Sequence, residues 1–212
     1  MELSISDPPS SWSALGFATE GGAVALGRLR LRLGADGDGI GSWTLSGIEP
    51  TATIDGLPTS VVERAGDAGS AVEHPNTVVE HPNTAVGLDH VVVVTPDFDR
   101  TEASLAEAGM PFRRVRTAWQ GERSFRQGFR RLGPAILEVV ELKGPPVEDP
   151  ARFWGLVVIV ADIDALADRL GPEIVSAPKE AVQPGRRIAT LQRAAGLSPA
   201  LAFMTPEPSR ER

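Results

Sequence analysis

The chain of 212 residues contains no cysteine. Disulfides, a thiol nucleophile and thiolate metal sites are thereby excluded. No apolar run approaches the roughly 20 residues that span a bilayer as a helix, so no membrane partner is expected. The N-terminus, Met1-Glu-Leu-Ser, has neither a basic region nor a long apolar core. No secretion signal is read there, and a cytoplasmic protein is the expectation. Lysine is nearly missing, with Lys143 and Lys179 standing among 21 basic residues. With the richness in Ala, Gly and Pro, that arginine bias reflects GC-rich coding and not a function. The net charge of −7 argues against nucleic-acid binding. No glycine-rich phosphate loop precedes a helix, and no serine stands in a nucleophile-elbow context.

What the chain does contain is a repeat. Gly87-Leu-Asp-His-Val-Val-Val-Val-Thr-Pro-Asp-Phe-Asp99 returns as Trp154-Gly-Leu-Val-Val-Ile-Val-Ala-Asp-Ile-Asp164. Each copy is a β-branched run, an Asp-x-Asp and an amphipathic segment, which marks duplication of one β-α-β unit. The copies differ at one chemically prominent position, where His90 of the first aligns with Gly155 of the second.

The duplicated part, residues 87–206, predicts two β-α-β-β-β modules. In the first, Val91–Val94 is a strand buried on both faces. A helix over 97–109 follows, and then strands over 112–118, 124–132 and 135–142. In the second, strand 154–161 leads into helix 162–170, stopped by Gly171. Strands near 174–177, 186–193 and 200–204 complete it.

Residues 1–56 read as a degenerate β-α-β-β module. Its strand Arg28–Leu33 alternates strictly, with one apolar and one basic face. Residues 57–86 read as a linker. It holds a near-perfect tandem heptapeptide, Glu73–Val79 and Glu80–Val86, each copy with one histidine. A recent duplication of this kind reads as a lengthened surface loop in which neither His74 nor His81 is tightly specified.

Two residues stand out as chemistry. Glu138 interrupts the apolar run Ala135-Ile-Leu-Glu-Val-Val and shares a strand face with Ile136 and Val140. A carboxylate there is costly unless paired, hydrogen-bonded or metal-bound. His90 opens the valine run and is a candidate neighbour for it. Three readings stay open: an incomplete metal site, a general acid–base dyad, or a satisfied structural pair. A tight hairpin at Gly133-Pro134 sets Phe129 opposite Glu138 and Gln127 on the same face, as ligand-binding residues. Trp119 is expected at the rim. Arg187 and Thr190 are expected in the pocket from the second module. The arginine-rich run between Phe112 and Arg131 is either a solvated strand face or a site for an anion.

Asp89-His90-Val-Val, Ala135-Ile-Leu-Glu138-Val-Val and Phe153-Trp-Gly-Leu-Val-Val-Ile-Val-Ala-Asp162 occur in an order and spacing that resemble the vicinal oxygen chelate superfamily. That group includes glyoxalase I, bleomycin-resistance proteins and extradiol dioxygenases. The nearest resemblance is to glyoxalase-like proteins of GC-rich bacteria. It implies an α+β fold in which tandem β-α-β-β-β modules form a cup-shaped mixed sheet, here with a degenerate N-terminal module.

The resemblance also implies a divalent metal (zinc, nickel, iron or manganese) held from the first and last strand of each module. Here those positions are His90 and Glu138 in one module and Gly155 and Ala202 in the other. Half the ligands are missing, so the metal is expected to be absent or weakly bound. The implied function is binding of a small oxygenated molecule, with lyase or isomerase chemistry carried by His90 and Glu138. The alternative is a metal-free binding or sequestering protein of the resistance type. An odd third module that must bury its sheet implies a homodimer.

Overall fold

The computed structural model describes residues 1–62, 79–142, 144 and 147–208. His74 and most of the first heptapeptide lie outside the described residues. The described residues form two mixed sheets, one of six strands and one of eight.

The smaller sheet comprises β1 (Glu2–Ile5), β2 (Ala23–Leu26), β3 (Leu29–Leu33), β4 (Ile40–Ser46), β5 (Thr53–Ile54) and β6 (Leu57–Val62). Helix α1 (Pro9–Ala14) follows β1. The alternation of β3 is realised: its leucines are buried, and Arg30 and Arg32 are exposed and reach Glu2 on β1. The strand order is β2-β3-β1-β4-β6-β5, with β1 parallel to β3 and β4 parallel to β6.

Two partial modules are therefore present, β1-α1-β2-β3 and a helix-less β4-β5-β6. They are joined antiparallel through β1 and β4. This corrects the reading of residues 57–62 as linker. Pro58 and two hydroxyl residues dilute the strand signal of β6, yet parallel pairing with β4 holds it. It also removes the packing argument for a homodimer, because the second partial module supplies the partner within the chain.

The larger sheet is the duplicated unit. Its first module is β7 (Ala85–Thr95), α2 (Phe98–Glu107), β8 (Arg114–Gln120), β9 (Arg123–Leu132) and β10 (Ala135–Glu141). The second is β11 (Arg152–Val160), α3 (Ile163–Leu170), β12 (Lys179–Glu180), β13 (Arg187–Thr190) and β14 (Ala200–Met204). In each module the last strand runs parallel to the first, and β7 pairs antiparallel with β11 to join the two. The strand expected near 174–177 is reduced to a single bridge, Val175 to Leu191.

The Asp-x-Asp motif has a structural job in both copies. Asp97 and Asp162 are helix N-caps, accepting from the amides of Arg100 and Ala165 at 3.1 and 2.9 Å. Asp99 and Asp164, in the first turn, bind Arg126 on β9 and Arg187 on β13. Each helix is thus latched to the middle strand of its own hairpin.

Val91, Val93, Leu137, Val139, Val158 and Phe203 pack with Phe98, Leu105, Ile163 and Leu166 of the helices in one core that also takes in the smaller sheet. Trp43 on β4 meets Phe153 on β11 edge-on, with ring centroids 5.2 Å apart. No described helix is long and apolar enough to cross a membrane.

Candidate functional site

The face of the larger sheet turned away from its helices carries the candidate site. Period-2 alternation puts Ile136, Glu138 and Val140 of β10 there, because Leu137 and Val139 belong to the core. On β9, Gln127 and Phe129 share this face, with Phe129 directly opposite Glu138. On β7 the alternation breaks. His90 pairs with Val157 while Leu88 pairs with Val158, so Asp89 is an extra residue in a β-bulge. The bulge sends the side chains of Asp89 and His90 to the same side.

A continuous polar chain results. Arg186, just before β13, places Nη2 2.6 Å from Asp89 Oδ1 and donates from Nε to the Thr205 carbonyl at 2.7 Å. His90 Nδ1 donates to Asp89 Oδ2 at 2.7 Å. His90 Nε2 lies 3.2 Å from Glu138 Oε2. Gln127 donates from Nε2 to Glu138 Oε1 at 2.6 Å, and its own carbonyl accepts from Arg116 Nε at 2.8 Å. Arg116 lies over the Phe129 ring, 5.1 Å from its centroid. The His90, Asp89 and Glu138 side chains are only 11%, 10% and 14% exposed.

Burial acts on the two carboxyls with different outcomes. Desolvation pushes Glu138 above its ordinary range, only partly offset by the charges of His90 and Arg116. Desolvation also acts on Asp89, but the hydrogen bonds from His90 and Arg186 outweigh it and hold Asp89 low. Asp89 therefore stays an acceptor and fixes the Nδ1–H form of the ring. His90 Nε2 is thereby turned toward Glu138 Oε2.

His90, Glu138, Gln127 and Phe129 come together as the sequence suggests. Trp119 does not. It is 69% exposed at the end of β8, and alternation from Arg116 puts it on the opposite face. Arg187 points to the helix side, where both terminal nitrogens grip Asp164 at 2.6 and 2.9 Å. Thr190 is on the site face, in a row with Ala202, Val157 and His90, and so three strands away from His90.

His81, expected in a loosely specified loop, is buried. Its Nδ1 accepts from the Ala18 amide at 3.0 Å, and its Nε2 lies 2.8 Å from the Ala25 carbonyl. Two site residues escaped the sequence reading. Asp89 was hidden by the bulge, and Arg186 by its place just outside a strand.

No protein-family model matches the chain, and no curated protein matches it in sequence. Among solved structures, a mutant of 4-hydroxymandelate synthase from Streptomyces coelicolor aligns over 100% of this chain and 92% of its own. Identity is 15% and the TM-score 0.60, and both sheets fall inside the alignment. This is the vicinal oxygen chelate fold. Methylmalonyl-CoA epimerase from Mycobacterium tuberculosis is similar at 18% identity over 59% of this chain and 91% of that one, with a TM-score of 0.45.

The vicinal oxygen chelate fold implies a divalent metal on this face, and the residues present do not fit one. A Cβ at Gly155 would overlap the Ala200 carbonyl oxygen, so no ligating side chain can stand there. Ala202 has no donor atom. Both ring nitrogens of His90 already face carboxylates. Among the described residues, no group of three or more histidine, aspartate or glutamate side chains is arranged to hold a metal ion. Against a metal, the buried Arg186 supplies the positive charge beside Asp89.

Proposed function

We propose that this protein binds a small oxygenated molecule against the polar face of its larger sheet, and that His90 and Glu138 act on it as a metal-free acid–base pair. The reaction class is proton transfer, of the isomerase or lyase type. The observation carrying this reading is the approach of His90 Nε2 to within 3.2 Å of Glu138 Oε2, with both partners fixed from behind by Asp89 and Gln127. Burial moves the Glu138 carboxyl upward, the direction that general acid–base catalysis near neutral pH favours.

The test is solvent exchange. The protein is incubated in D2O with a panel of small 2-oxo and 2-hydroxy carboxylates and their aldehydes, and deuterium uptake at carbon is followed by NMR. Exchange with at least one compound, abolished by Glu138→Gln and by His90→Ala, is the expected result. No exchange with any compound, from protein that binds at least one of them, sinks the catalytic reading.

A second reading, binding or sequestering without chemistry, is supported by the low exposure of the pair and by its full set of hydrogen-bond partners. It predicts that Glu138→Gln keeps ligand affinity.

A further inference from the structure

We propose that the junction between the two sheets is a second binding site, built for a small planar organic anion such as an aromatic carboxylate. A cavity of about 660 Å³ opens there. Its walls come from the turn before β4, the β5–β6 turn, the start of β11, and the segment joining β13 to β14. Clefts of roughly 300–1,000 Å³ enclose small-molecule ligands. Neither His90 nor Glu138 lines it, so this site does not depend on the acid–base pair.

Three lining residues carry the inference. Trp154 is the extra residue of a second bulge, where Phe153 pairs with Val93 and Gly155 with Val92. Phe153 buries itself against Trp43, whereas Trp154 remains 51% exposed at the cavity. An exposed indole face in a cleft is a stacking surface for a flat ring.

Arg152 and Arg193 also line the cavity and are exposed. Arg100, Arg126, Arg186 and Arg187 each hold a carboxylate. Arg152 and Arg193 hold none among the described residues. Among the described lining residues Asp38 is the one acid beside Arg152 and Arg193, so this lining is net positive in a chain of net charge −7. Two free guanidinium groups beside an aromatic face match a carboxylate on a planar body. Leu197 and Pro199 supply apolar wall for the rest of the ring.

The probe is 2-naphthoate, titrated into the full chain by isothermal calorimetry, with circular dichroism confirming that each variant is folded. Saturable binding is expected. The double variant Arg152→Gln/Arg193→Gln and the uncharged probe 2-naphthamide should each weaken it by about tenfold or more. Trp154→Ala should weaken it comparably, and Glu138→Gln should leave it unchanged. No saturable binding up to about 10 mM, in the weak range of affinity, overturns the proposal. So does equal affinity in the double arginine variant. Loss in Glu138→Gln with retention in the arginine variant would assign the probe to the face carrying His90, and the junction site would fall.

Discussion

Asp89 accepts a 2.7 Å hydrogen bond from His90, the residue that follows it in the same strand. Neighbours on a regular strand point to opposite faces and cannot meet in this way. The bulge at Asp89 is therefore what builds the site: it turns an isolated histidine into one held by Asp89 on one nitrogen and facing Glu138 with the other. Arg186, from the second module, anchors Asp89, so the site exists only where the two modules join.

Glu138 gives the fold a pH dependence of defined sign. Its carboxyl titrates above the ordinary 4.5 in the folded protein because burial favours the neutral form. The folded chain thus keeps this proton where the unfolded chain has lost it, and stability falls as pH rises from about 4.5 through the folded value. Urea unfolding of wild type and Glu138→Gln across pH 4 to 7 checks this. The decline in that window is expected to be absent from the variant. Asp89, held low, acts oppositely: its contribution is present above 3.8 and is lost as pH falls below it.

Gly155→Ala is expected to destabilise the protein by about 2–3 kcal/mol, because the added methyl meets the Ala200 carbonyl oxygen and must push β14 from β11. Ala200→Gly should not rescue it, since the obstructing atom is backbone. Gly155→His should lower the melting temperature further and should not gain a metal detectable by elemental analysis.

Asp7 ties the first partial module to the second full module. Its carboxylate accepts from the Ser198 hydroxyl at 2.6 Å and from the Ser198 amide at 3.0 Å. Asp7→Ala should cost about 2 kcal/mol in chemical denaturation, because a part-buried amide is left without a partner. Ser198→Ala keeps that amide bond and should cost about half as much.

His81 should behave as a structural residue and not as a ligand. Replacing it by alanine removes the acceptor for the Ala18 amide and the partner of the Ala25 carbonyl. A loss of about 2 kcal/mol is expected in thermal or urea unfolding. Activity or ligand affinity, measured where the variant remains folded, should not change.

Much of the fold is legible in local signals. The alternation of Leu29 to Leu33 fixes which side of β3 is buried, and the two Asp-x-Asp motifs mark both helix starts. Glu138, Phe129 and Gln127 could be set on one face because the hairpin at Gly133-Pro134 fixes their register. The same parity separates Arg187 from Thr190. They are three residues apart on one strand, so only one of them can face the site, and it is Thr190. β6 is not legible from its own residues because Pro58, Thr59 and Ser60 interrupt its apolar positions and its partner β4 lies beyond a turn.

The sequence by itself determined the duplicated module, its two helix starts, and the shared face of Glu138, Phe129 and Gln127. These rest on periodicity, capping and short hairpins, all of which act over a few residues. Only the tertiary structure decided that Asp89 turns toward His90, that Arg186 neutralises it from another module, and that Gly155 is closed to any side chain. A bulge is defined by the register of the opposite strand, and a steric limit by the backbone packed against it. Neither partner is near in sequence, so neither contact could be read from the residues that make it.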